Sequence, residues 1–130
     1  MVTVGAVAVD ARGRVLLLQH EFRTGSGWGI PGGFMEAGEQ PLEALRRELR
    51  EEIGVELEGA ELVRVRTLRR PQQLEIHFRC LVREAQSASP QSIEINKVGW
   101  FKPGELPPEL DSDQRRIIRD ALAGGAKTAE

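Results

Sequence analysis

Tyrosine is absent from this chain, cysteine occurs once, and aromatic residues amount to two tryptophans and four phenylalanines. One cysteine cannot form an internal disulfide, and without a CxxC pair no thiol redox or zinc signature exists. Cys80 alternates with Phe78 and Val82, which assigns it an apolar place in a strand. With so few rings, most of any stacking surface must double as core: of Trp28, Phe34 and Phe101, at least two are expected to pack inside. An excess of positive charge is also missing. Eighteen basic residues face twenty acidic ones, for a net charge of −2. That balance excludes bulk attraction to a nucleic-acid backbone or an anionic membrane, so an anionic ligand would need local arginines or a metal ion. Long apolar runs are lacking too. Val2–Val9 is short, has no basic lead-in and soon meets Asp10 and Arg12, which excludes a signal peptide or membrane span and makes a cytoplasmic location the expectation.

What is present is the mixture of one domain with a real core, 130 residues of which 40% are hydrophobic and 29% charged. A single domain over residues 1–123 is expected, with 124–130 a frayed tail. Val2–Val9 and residues 15–19 read as strands of a hairpin around the turn chemistry of Asp10, Ala11, Arg12 and Gly13. Residues 25–33 hold five glycines and a proline, forbidding a helix and suiting irregular backbone that approaches something closely. Over residues 41–53 the period becomes helical, with Leu42, Leu45, Leu49 and Ile53 at spacings of three, four and four. Pro41 at the first turn and Gly54 past the end are its start and stop. Residues 62–66 and 74–80 read as half-buried strands, expected to be antiparallel neighbours. Residues 85–92 form a polar loop, 97–101 a further strand, and 112–123 a last helix.

On a helical wheel of about 100° per residue the four apolar residues of the central helix fall within roughly 80°. Glu48, Glu51 and Glu52 occupy a neighbouring arc, at the boundary of core and solvent. Carboxylates at i, i+3 and i+4 repel one another, and a hard divalent cation relieves that repulsion with oxygen ligands. The plainer reading is a solvated, salt-bridged face made by Glu43, Arg46, Arg47, Glu48, Arg50, Glu51 and Glu52. Part of it holds either way, because Arg47 lies four residues before Glu51 and can neutralise and orient it.

The stretch 33–55 decides between the two. Gly33, five residues, Glu39, seven residues, then Arg47, Glu48, Leu49, Arg50, Glu51, Glu52, Ile53, Gly54 and Val55 resembles the Nudix box at every defining position. Flanking strands, the segment Gly99, Trp100 and Phe101, and the terminal helix extend the likeness over nearly the whole chain. The resemblance implies an α/β fold, the Nudix-type α/β/α sandwich with a mixed central sheet and a catalytic loop-helix-loop. It implies a pyrophosphohydrolase acting on phosphorus-containing acid anhydrides, with Mg²⁺, or Mn²⁺ as substitute, bound by Glu48, Glu51 and Glu52 and by the carbonyl of Gly32. It makes Gly33, Glu39 and Arg47 structural supports. For the general base it leaves a choice between a box glutamate, Glu51 or Glu52, and Glu94 beyond the polar loop. His20 and His77 are expected to be strand residues with satisfied rings.

The substrate implied is a small nucleotide-like molecule, with no nucleic acid and no membrane as partner, and with a homodimer open. Trp28 and Phe34 are candidates to stack on its base and Arg23, Arg66, Arg69 and Arg70 to grip its phosphates, although arginines alternating along a strand more often mark its wet face. Pro71, sixteen residues beyond Val55, resembles a marker of the ADP-ribose branch. The tyrosine of the diadenosine-polyphosphate branch and the SQPWPFP segment of the NADH-pyrophosphatase branch are missing. The expected substrate is ADP-ribose or a nucleotide sugar, with clean-up of oxidised nucleoside triphosphates as the alternative and a non-catalytic sensing module as the rival from another class.

Overall fold

The computed structural model describes residues 1–21, 25–70, 72–83 and 88–124. Arg23, Pro71, part of the polar loop and residues 125–130 lie outside them. Val2–Val9 (β1) is apolar along most of its length because both of its faces are covered, as a strand between two helical layers requires. It runs parallel to Gln73–Val82 (β6), from Val2 opposite Leu74 to Val9 opposite Leu81. Along the other edge of β1 lies Gly32–Phe34 (β4), antiparallel, with Gly5 opposite Gly32. Val15–His20 (β2) meets β1 only at Val9 opposite Val15. The expected hairpin is therefore a turn whose strands part at once. Asp10 holds that turn, accepting from the Arg12 and Arg14 backbone N–H groups at 3.0 and 2.8 Å.

Leu57–Leu68 (β5) is antiparallel to β6, as expected, though both strands are longer than the alternation suggested. β2 continues the sheet outward to Trp28–Gly29 (β3) and to Ile95–Phe101 (β7). The glycine-rich stretch is thus not wholly irregular: it contributes two short strands. Glycine is required where β4 touches β1, because a Cβ at Gly32 would land on the Val4 carbonyl oxygen and within 2.8 Å of Gly5 Cα.

Pro41–Ile53 (α1) has the bounds its periodicity predicts. The Gln40 N–H donates to Glu43 Oε1 at 2.8 Å, one arm of a capping box, and Gly54 closes the helix at φ 72°, donating to Arg50 O and Leu49 O. Leu45, Leu49 and Ile53 are fully buried against Ala6, Ala8, Leu16 and Leu18. Truncating any of the three to alanine costs roughly 2–5 kcal/mol. On the opposite face Val7, Val15 and Leu17 pack on Ile117, Ile118 and Ala121 of Ser112–Leu122 (α2), which Asp111 caps at Gln114 N (2.8 Å). The result is the expected α/β/α arrangement about a mixed sheet. Among the described residues no helix is long and apolar enough to cross a membrane.

Candidate active site

β1 and β4 hold Gly32 and Gly33 beneath α1, and α1 turns Glu48 down onto them. A Cβ at Gly33 would fall inside the Glu48 carboxylate, so the absence of a side chain there is what makes room for these oxygens. Arg47 ties the approach loop to the helix. It donates to Glu39 Oε2 at 2.6 Å, Glu39 Oε1 at 3.0 Å and Phe34 O at 3.0 Å, while its contacts to Glu48 and Glu51 are longer, 3.4 and 3.3 Å. Glu39 also accepts from the Glu36 N–H at 2.8 Å. The hydrogen bonds from Arg47, then the one from Glu36, draw the Glu39 carboxyl down to about 2. Glu48 moves the other way: burial raises it, and Arg47 offsets this only in part.

The three box carboxylates sit in different surroundings. Glu48 and Glu52 have side chains only 15% and 9% exposed, whereas Glu51 is 61% exposed. Glu52 Oε2 lies 3.4 Å from His20 Nε2. Among the described residues no three His, Cys, Asp or Glu side chains already converge at metal-holding distance. The donor set nevertheless fits a hard divalent cation: it is all oxygen, anionic and in excess over the one arginine beside it, and Gly33 keeps a side-chain-free space against Glu48.

A family model described as NUDIX domain matches residues 1–121. This chain belongs to that family. A MutT-like protein from Streptomyces ambofaciens is 31% identical over 95% of the chain and 77% of its own length. Nucleoside triphosphatase NudI of Salmonella newport is 36% identical over 61% of the chain and 64% of its own length. In fold, the chain is similar to the NUDIX domain of Shewanella oneidensis NrtR, complexed with ADP ribose, at TM-score 0.81 and 23% identity, covering 95% of this chain and 87% of that one. The enzyme class expected from the Nudix box, a pyrophosphohydrolase acting on phosphorus-containing acid anhydrides, stands with that membership.

The other candidates are scattered around the Nudix box. Trp28 meets Phe101 edge to face, centroids 5.4 Å apart, within the α2-side cluster, while Phe34 is 55% exposed. Glu94 is exposed, and its carbonyl accepts from the Glu21 N–H at 2.7 Å, which pins the segment before β7 to the end of β2. Arg69 and Arg70 are exposed and line an open groove of about 770 Å³ with Met1 and Gln73. Arg66 does not belong to a wet face: Asp113 grips it through two oxygens at 2.9 and 2.7 Å and Glu75 binds it at 2.7 Å. Gln73 also borders a second cavity, of about 220 Å³, lined by Thr3, Gly5, Gly32, Gly33, His77 and Gln114. Gln114 Oε1 accepts from the Ile30 N–H at 2.8 Å, tying α2 to the glycine loop.

Of the two histidines, only His77 departs from its expectation. His77 is 5% exposed and its Nδ1 is buried without a hydrogen-bond partner, so its ring is not satisfied; burial lowers its pKa to about 4 and keeps it neutral. His20 ends β2 and its ring meets Glu52, as expected of a strand residue with a partnered ring. Sequence periodicity could not name what lay across from either ring.

Proposed function

We propose that this chain hydrolyses the diphosphate bond of a nucleoside diphosphate joined to a second moiety, such as ADP-ribose or a nucleotide sugar, with Mg²⁺ held by Glu48, Glu51 and Glu52 and the carbonyl of Gly32. The observation that carries the reading is the Gly33 space filled by the Glu48 carboxylate, with Glu48 and Glu51 both leaning on the same arginine, Arg47. The cation supplies Lewis acidity, neutralises the diphosphate and lowers the pKa of water. Everything else is the work of side chains. Arg47 and Glu39 keep the loop closed on α1, so that Glu48 stays against Gly33. Glu51, the most exposed of the three, is free of burial cost and can change partners as substrate arrives. Glu94, on a segment anchored at Glu21, or a box glutamate takes the proton from the attacking water.

The cavity beside Gly32 and Gly33 suits the nucleoside end of the substrate, and the groove with Arg69 and Arg70, which shares Gln73 with it, gives an anionic second half somewhere to lie. The second reading is hydrolysis of nucleoside triphosphates, and the 36% identical nucleoside triphosphatase NudI favours it.

A panel of nucleoside diphosphate derivatives and nucleoside triphosphates, assayed with Mg²⁺ for release of AMP, phosphate or pyrophosphate, tests both. Turnover of ADP-ribose or a nucleotide sugar above the triphosphates supports the first reading, and the reverse order the second. Glu51→Gln and Glu52→Gln should each lower kcat by roughly 100-fold or more while the protein stays folded. Full activity of the double variant would sink the metal-helix reading, and a silent panel would favour a sensing module.

A further inference from the structure

The contact between His20 and Glu52 is assembled with more backbone support than a chance surface pair receives. His20 is the last residue of β2, where the pairing with β7 shifts register between Gln19 and His20. Its N–H donates to Gly27 O at 2.8 Å, and the next N–H, of Glu21, donates to Glu94 O at 2.7 Å. Gly27, at φ 84°, comes so close that a Cβ there would stand 2.8 Å from the His20 carbonyl oxygen. The strand end is therefore held from two sides, and the side chain it carries faces α1.

Glu52 occupies the other side of this contact in an environment hostile to an anion. It is 7% exposed and lies in the last turn of α1, where the helix dipole presents its negative end. Its main chain is fixed, since Glu52 O accepts from the Gln91 N–H at 2.8 Å. Its side chain meets His20, whose Nε2 stands 3.4 Å from Oε2.

We propose that His20 is the positioning residue of Glu52. Its ring N–H holds one carboxylate oxygen and so fixes the rotamer in which Glu52 meets a divalent cation. The inference rests on the reading of Glu52 as a metal-holding residue. It gives β2 and the Glu94 segment a part in the site, because the hydrogen bonds that place His20 also anchor Glu94. Carboxylates that bind metals are themselves usually held by such outer hydrogen bonds, whose loss costs roughly 10–100-fold in metal affinity or activity.

The test uses the full chain with Mn²⁺ as probe, its binding followed by electron paramagnetic resonance without substrate, beside kcat and KM on the best substrate of the panel. Four proteins are compared: wild type, Glu52→Gln, His20→Leu and His20→Gln. His20→Leu should weaken Mn²⁺ binding and lower kcat by roughly 10-fold or more with KM unchanged. His20→Gln, whose amide N–H can reach the same oxygen, should stay within roughly threefold of wild type on the same scale. Equal losses in the leucine and glutamine variants would reduce His20 to packing and overturn the proposal, as would a leucine variant that binds Mn²⁺ and turns over like wild type. Should the leucine variant not fold, His20→Ala replaces it in the same comparison. Glu52→Gln separates the two levels: if it binds Mn²⁺ and works normally, the metal-helix reading fails, whereas an impaired Glu52→Gln beside an intact His20→Leu defeats the positioning role alone.

Discussion

On each face of the sheet an arginine gathers carboxylates around it, and the two clusters balance differently. On the α2 face Arg66 meets two, Glu75 and Asp113, with close bonds of 2.7 to 2.9 Å, and Asp113 has a second cation in Arg116 at 3.7 Å. On the α1 face Arg47 reaches four, Glu36, Glu39, Glu48 and Glu51, between 2.6 and 3.6 Å. One guanidinium cannot satisfy four anions. Its short bonds go to Glu39, whose pKa falls to about 2, while Glu48 remains raised by its burial. The same arginine thus divides its neighbours into a loop anchor that is fully paired and ligand candidates that are not. A saturated cluster is a brace; an undersatisfied one has affinity left for a cation.

The largest test of this contrast comes from two adjacent glycines. Gly32→Ala sets a methyl group against the Val4 backbone, which cannot give way without parting β1 from β4. A loss of about 3 kcal/mol in unfolding free energy is expected, read by urea denaturation. Gly33→Ala pushes first on the Glu48 carboxylate, the far end of a flexible side chain. That variant should fold nearly as well as wild type yet lose roughly 10-fold or more in kcat and Mg²⁺ affinity. A Gly33→Ala enzyme with unchanged kinetics would remove Glu48 from the site.

The two arginines give a smaller effect. Arg66→Met strips Glu75 and Asp113 of their nearest cation and should cost about 2 kcal/mol, discounted from the fully buried case because the Asp113 side chain is 44% exposed and keeps Arg116 at 3.7 Å. Arg47→Met should cost about 1 kcal/mol, and part of that loss should return when millimolar Mg²⁺ is added, since a cation can take over the charge that Arg47 supplied. Calorimetric Tm values with and without Mg²⁺ measure the difference. Equal recovery in both variants, or in neither, would mean that the two faces do not differ in cation affinity.

Local signals carried much of this structure in the sequence. Helix α1 has the predicted bounds because its apolar spacing, Pro41 and Gly54 all act within a few residues. What lay beyond reach was partnership across distance. Nothing in the apolar run of β1 states that it runs parallel to β6, or that the glycine loop forms β4 along its other edge. Arg66 read as solvent-facing because Asp113, 47 residues away, could not be foreseen opposite it. Ala44 is fully buried yet was missing from the predicted stripe, since alanine carries little pattern of its own. The box glutamates were legible as a group, whereas their unequal exposure depends on β2, β4 and the approach loop.

His77 supplies the smallest expected effect and the one most particular to the closed face. Burial lowers its pKa from 6.5 to about 4, so between those values the unfolded chain binds a proton that the folded chain refuses. Stability contributed by the neutral ring is therefore present above the unfolded pKa and is lost as pH falls toward the folded one. Between pH 7 and pH 5.5 the loss should be about 1 kcal/mol. Glu39 stays out of this window, because its own contribution is lost only as pH falls from 4.5 toward about 2. Urea denaturation of wild type and His77→Gln at the two pH values isolates the term: the glutamine variant should lack that part of the slope, whatever its absolute stability. If both proteins lose stability equally, His77 is protonated in the folded state at pH 5.5, and the α2 face is less closed to charge than its burial and paired arginine indicate.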